Sequence, residues 1–157
     1  MNRTKILSRA AIVAAVYVCL TLISAMFGMS NGVIQVRLSE ALTILPVFTP
    51  YAIPGLFVGC IISNVVTGCA LWDIVFGSVA TLLGAIFTYI LRKNKYLAVL
   101  PPIFFNTLIV PFVLVNVYGV QDALWFVMLT VGAGEIISCG VLGLLLFRLL
   151  EKHKNIF

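Results

Sequence analysis

Residues 41–66 form an apolar run long enough to cross a bilayer, yet Pro46, Pro50 and Pro54 interrupt it, and Arg37 and Glu40 stand at its mouth. Proline removes a backbone donor and breaks a helix interior. An ionised side chain in hydrocarbon costs at least about 2.5 kcal/mol. One straight span is therefore a poor reading. Two short helices with a turn near Thr49-Pro50 accommodate the prolines, and the second stretch, Gln35 to Phe48, reaches only about 21 Å at helical rise.

The rest of the chain sets the context. Charged residues make up 10% of it and hydrophobic ones 62%, whereas about a quarter of a soluble domain is charged. Further apolar stretches run 6–29, 71–91, 97–117 and 123–147. Between them lie Ser30-Asn31-Gly32, Thr67-Gly68, Arg92-Lys93-Asn94-Lys95 and Tyr118-Gly119-Val120-Gln121-Asp122. Spans in lipid must satisfy their own backbone hydrogen bonds, so the expectation is helices throughout. Residues 1–157 read as one membrane-embedded domain. The N-terminal apolar run is too long for a signal-peptide core and reads as a retained first helix.

Charge settles the topology. With the proline-rich run split in two, Arg3, Lys5, Arg9, Arg92, Lys93, Lys95, Arg148, Lys152 and Lys154 fall on one side and only Arg37 on the other. Basic residues mark the cytoplasmic side. The predicted fold is all-α: a bundle of six transmembrane helices, both termini cytoplasmic, the second and third helices short and broken by proline. The positive net charge is then topology, with no call for nucleic acid.

Arg37, Glu40, Asn64, Asp73, Asn106, Asn116, Gln121, Asp122 and Glu135 all fall in the outer half or near its middle. Polar side chains in a membrane face the bundle or a cavity, so this census predicts a pocket open to the outside, with Arg37 and Glu40 at its rim. Glu135 is the sharpest residue, deep in the last helix and flanked on its own face by Gly132, Ser138 and Cys139. It reads as a ligand group, or as a structural carboxylate bonded to a neighbouring helix. Arg37 and Glu40, three apart, read as an ion pair or as ligand contacts. Asp73 reads as a helix N-cap or a pocket residue; Asn64 and Asn106 as interhelical hydrogen bonds or ligand contacts. Trp72, Trp125 and Tyr118 sit at the outer interface as belt anchors or as a stacking lid. Ala10/Ala14 and Ala11/Ala15 are small-xxx-small pairs that let another helix approach.

Cys19, Cys60, Cys69 and Cys139 are scattered and suggest no metal site. His153 is the only histidine, so no nucleophile triad is possible, and there is no phosphate-binding G-x-x-x-x-G-K-[ST] loop. The chain is expected to be neither an enzyme nor an ATPase.

The segment from Val36 to Asn64, VRLSEALTILPVFTPYAIPGLFVGCIISN, resembles the signature region of the QueT family, and the likeness continues through Thr67-Gly68 and Leu71-Trp72-Asp73-Ile74-Val75-Phe76-Gly77. These are substrate-binding (S) components of energy-coupling-factor transporters associated with queuosine precursors. The resemblance implies a six-helix subunit in the plasma membrane of a prokaryote. It would capture queuine, preQ1 or a related 7-deazaguanine and topple in the membrane to deliver it. It also implies a transmembrane coupling subunit, which would dock on Ala10, Ala14, Ala11 and Ala15, and two cytoplasmic ATPases that use ATP; the chain itself holds no cofactor. For such a ligand Glu135 or Glu40 would read the guanine edge and Asn64 or Asn106 the carbonyl oxygen. Trp72, Phe76 or Trp125 would stack on the ring, and Asp73 would face a cationic substituent. An S component for another vitamin, such as folate or riboflavin, and a stand-alone secondary carrier are the alternatives.

Overall fold

In the computed structural model, residues 3–29 and 34–152 are described, and they form helices with no strand among them. The Ser30-Asn31-Gly32 turn, His153 and Lys154 lie outside the described residues. Six helices follow one another: α1 Arg3–Met26, α2 Leu38–Val47, α3 Ala52–Val66, α4 Leu71–Ile90, α5 Lys95–Asn116 and α6 Leu124–Glu151. Four of them, α1, α4, α5 and α6, are long and apolar enough to cross a membrane.

The pattern of exposure is inverted relative to a soluble protein. Leu7, Met26, Phe27, Leu71 and Trp125 are each at least 66% exposed, while Ser24, Ser39, Asn64, Thr88 and Ser138 are at most 1% exposed. Water would penalise that arrangement on both counts. Hydrocarbon around the bundle favours it, because polar groups then find partners inside the bundle rather than in lipid.

The split of residues 41–66 occurs as the prolines demand, with the turn over residues 48–51. The first half differs from expectation in kind. It is a 3₁₀ helix, starting at Leu38 instead of Gln35. Pro46 lies within it and supplies no backbone donor, so the longer α-helical ladder cannot be completed there. Ten residues at the 3₁₀ rise of about 2.0 Å span about 20 Å, well short of a bilayer core. Pro54 sits in the first turn of α3, where a missing N–H goes unnoticed.

Seven of the ten residues of α2 are buried, from Ser39 to Pro46. This short helix is therefore not a surface element. It is the axis of the bundle, in contact with each of the other five helices. Its central position brings a glutamate from α2 to the same depth as polar groups on the long helices.

Close approaches fix α1 against α3. A methyl group on Gly55 would fall 2.6 Å from the Ala10 carbonyl oxygen, and one on Gly59 2.9 Å from Tyr17 Cβ and 3.1 Å from Ala14 Cα. The Ala10/Ala14 side of α1 is thus occupied within the bundle. Ala11 and Ala15 lie on the adjoining side, which is exposed.

Candidate functional site

Three polar side chains of α1 recur at helical spacing, Tyr17, Thr21 and Ser24, and all three face α2. The Tyr17 hydroxyl donates a hydrogen bond to Glu40 Oε1. Thr21 Oγ1 lies 2.9 Å from Ser39 Oγ. Ser24 Oγ accepts from the Leu38 backbone N–H at 2.9 Å. This ladder secures the start of α2 and aims its carboxylate into the bundle.

Glu40 is 2% exposed. Its other oxygen, Oε2, lies 3.5 Å from Asn106 Nδ2 of α5. From α6, Glu135 comes to the same place. It stands at the junction where the α-helix gives way to a π-helical turn, Ile136–Leu142. Such turns shift side chains out of α-helical register and often occur at functional sites. Within this one, Cys139 Sγ donates to Glu135 Oε2 at 3.2 Å and Ser138 Oγ accepts from the Arg37 backbone N–H at 3.2 Å. One ligand atom each from Glu40, Glu135 and Cys139 lie within 4.8 Å of one another. Scattered cysteines gave no hint of this grouping, which could offer two oxygens and a sulfur to a cation.

Glu40 and Glu135, with Gln35, Arg37, Asp73, Thr81 and Asn106, line a narrow chamber with about 30 Å³ of free space. That volume suits a water or two and is too small for a fused bicyclic base. Above it lies a vestibule of about 450 Å³ lined by Thr21, Gln35, Arg37, Asp73 and Tyr118, within the range of ligand pockets. Gln35, Arg37 and Asp73 border both spaces and separate them.

Asp73 is held in place from across the bundle end. Tyr118 donates to Asp73 Oδ2 at 3.2 Å and accepts from the Ala70 N–H at 2.9 Å. Partial burial, and then the nearby Asp73 carboxylate, raise the Tyr118 phenol above its ordinary range, so it is a neutral donor. Segment 34–37 is seated just as tightly: a methyl group on Gly134 would overlap the Gln35 carbonyl oxygen.

The structure therefore brings Arg37, Glu40, Asp73, Asn106 and Glu135 together, though several details depart from the sequence reading. Glu40 is not at a rim but in the core, because α2 runs through the bundle centre. Among the described residues no ion pair joins it to Arg37; Tyr17 and Asn106 take that place. Asp73 is not an N-cap, since Ala70 occupies that position and Asp73 sits in the first turn. Asn64 is fully buried, with Nδ2 3.6 Å from Cys60 Sγ and Oδ1 without a partner among the described residues.

The aromatic residues are elsewhere. Trp72 stacks on Phe76 at 5.8 Å, and both line an outward-facing apolar groove between α4 and α5. Trp125 is 66% exposed and meets Phe126 edge-on. None of the three lines the chamber or the vestibule.

Tyr17, Gln35 and Thr81 were not singled out as site residues from the sequence, and Tyr118 was read as a belt anchor or stacking lid, not as a hydrogen-bond partner of Asp73. The signal for Tyr17 was present as the spacing Tyr17/Thr21/Ser24, a polar stripe in an otherwise apolar helix. Gln35 carried no comparable mark.

Comparison with known proteins adds two findings. The family described as the QueT transporter matches residues 7–152. The Queuosine precursor transporter QueT of Lactococcus lactis subsp. cremoris (strain MG1363) is 40% identical over 73 residues, covering 46% of this chain and 42% of that protein. The match thus spans less than half of the relative's own length. No solved structure matches.

Proposed function

Because this chain belongs to the QueT transporter family, we propose that it is the substrate-binding membrane subunit of an energy-coupling-factor importer and that it takes up a queuosine precursor. The observation that carries this reading is the meeting of Glu40, Glu135, Asn106, Arg37 and Asp73 around one chamber inside an apolar bundle. Buried polar groups at that density are costly unless they serve a ligand.

A 7-deazaguanine offers adjacent N–H donors on its guanine edge and one acceptor oxygen. Glu135 accepts the donors, with Glu40 beside it and already positioned by Tyr17. Asn106 donates to the carbonyl oxygen. Asp73 faces the substituent end, toward the vestibule. Asn64, whose Nδ2 lies beside Gly77, supports the floor. To admit the base, the chamber and vestibule merge as Gln35, Arg37 and Asp73 move apart. Trp72, Phe76 and Trp125 take no part in stacking in this reading.

The basic loop Arg92–Lys95 and the end of α6 lie on the cytoplasmic side, as charge asymmetry favours, and the vestibule opens outward. The exposed Ala11/Ala15 face of α1 receives the transmembrane coupling subunit, while Ala10/Ala14 is committed to α3. Two partner ATPases supply the energy, and the subunit topples to deliver its ligand at the plasma membrane of a prokaryote.

Calorimetry on the purified protein with queuine and preQ1 tests the reading, with folate and riboflavin as competitors. One-to-one binding of a deazaguanine supports it. Binding of another vitamin alone, or uptake in liposomes holding this chain without ATPases, overturns it.

A further inference from the structure

The end of the bundle opposite the vestibule carries a groove of about 600 Å³ that the transport reading leaves unused. The turn between α4 and α5 contributes Arg92, Lys93 and Lys95. The end of α2 contributes Phe48, and the last turns of α6 contribute Phe147 and Glu151. Its floor is aromatic: the Phe48 and Phe147 rings lie 5.0 Å apart. Among the described residues, three cations and one carboxylate line it.

The cations are arranged rather than scattered. Lys95 Nζ lies 5.2 Å from the Phe147 ring centre and 3.8 Å from Glu151 Oε2. Arg92 rests its guanidinium 4.3 Å above the Tyr89 ring. The Thr88 hydroxyl donates to the Ala98 carbonyl oxygen at 2.8 Å and ties the first turn of α5 to the end of α4. Glu151 is positioned to offset Lys95, which leaves Arg92 and Lys93 as an excess of positive charge at the lip. The helices bounding the groove also present apolar side chains to the bilayer: Leu97 on α5 is 46% exposed and Leu145 on α6 is 49% exposed.

We propose that this groove binds the phosphodiester headgroup of an anionic phospholipid. Arg92 and Lys93 contact the phosphate and Lys95 holds the groove open from beneath. Acyl chains then continue along the exposed apolar flanks. Two features favour a lipid over free phosphate or an acidic peptide. Basic side chains and an aromatic floor line the same groove, with Lys95 Nζ 5.2 Å from the Phe147 ring, and the flanking surface is of the kind that lipid tails cover. Basic pockets between helices on the cytoplasmic side recognise anionic headgroups in this manner. The site lies apart from the polar chamber, so it stands whatever the transported ligand is.

Native mass spectrometry on the detergent-purified full chain, titrated with phosphatidylglycerol or phosphatidylcholine, provides the test. The wild-type protein is expected to retain one phosphatidylglycerol in preference to phosphatidylcholine. Arg92→Gln/Lys93→Gln should weaken that retention at least tenfold, while Arg3→Gln/Lys5→Gln, equal in charge change but outside the groove, should not. Thermal melting checks that each variant is folded. If the double variant does not fold, the exposed Arg92→Gln alone serves, with at least a threefold loss expected. Equal retention of the two lipids, an unaffected groove variant, or an equal loss in the α1 control each overturns the proposal. So does displacement of the lipid by inorganic phosphate at matched concentration.

Discussion

The Tyr17 hydroxyl of α1 donates to the Glu40 carboxylate of α2, and both residues are at most 2% exposed. The bond joins the helix proposed to meet the coupling subunit with the helix that carries a carboxylate of the polar chamber. Replacing Tyr17 with Phe keeps the ring and removes the donor. A buried carboxylate that loses one partner costs about 1–3 kcal/mol. Chemical denaturation of Tyr17→Phe should show a loss of that order, and ligand affinity should fall together with it.

Glu135→Gln tests recognition. The amide presents donors where a guanine edge also presents donors, so affinity for a 7-deazaguanine should fall more than tenfold, equivalent to about 1.4 kcal/mol. Calorimetry on a folded variant checks this. Unchanged affinity would assign Glu135 a structural role only.

Gly134→Ala places a methyl group against the Gln35 carbonyl oxygen. Overpacking of this kind costs about 1–3 kcal/mol, and the mobile partner is segment 34–37, since α6 is held on several sides. Hydrogen exchange should quicken at Gln35–Arg37 and stay unchanged at α3. Uniform exchange in variant and wild type would mean that the approach is not a constraint.

The two faces of α1 should respond differently to a bulky residue. Ala14→Leu meets Gly59 and should destabilise the bundle. Ala15→Leu points away from it and should leave thermal stability and ligand binding within experimental error. Transport by the assembled complex should nevertheless be lost with Ala15→Leu. Full uptake by that variant would remove this face from the partner interface.

Much of the architecture is legible in the residues because lipid imposes few options. Apolar runs must become helices, and the prolines at 46, 50 and 54 leave one place for the break. The helix ends came within a few residues of the apolar stretches. What the residues did not reveal was the 3₁₀ winding of α2 or its central position. Both depend on packing from the five other helices. Arg37 and Glu40 are three apart in sequence, which invites an ion pair, but burial of α2 sends Glu40 to Tyr17 and Asn106 instead.

The site was legible as a list of polar residues and illegible as an arrangement. Glu135, Asp73 and Asn106 stood out because polar side chains are rare in such a chain. Tyr17 and Gln35 did not, since one is an ordinary aromatic residue in an apolar helix and the other lies in a connecting segment. Trp72, Phe76 and Trp125 stood out as aromatic residues near the outer end, yet they line neither the chamber nor the vestibule. Aromatic residues near a membrane surface have equal chemical cause to face lipid, and here all three stand exposed on the outside of the bundle.

Binding of queuine or preQ1 to purified wild-type protein and to Glu135→Gln, measured side by side by calorimetry, tests the proposed function most directly. The expected result is one ligand per wild-type chain and a loss of more than tenfold in affinity in the variant. A folded wild-type protein that binds no deazaguanine, or a variant that binds it equally well, would contradict the assignment of this chamber.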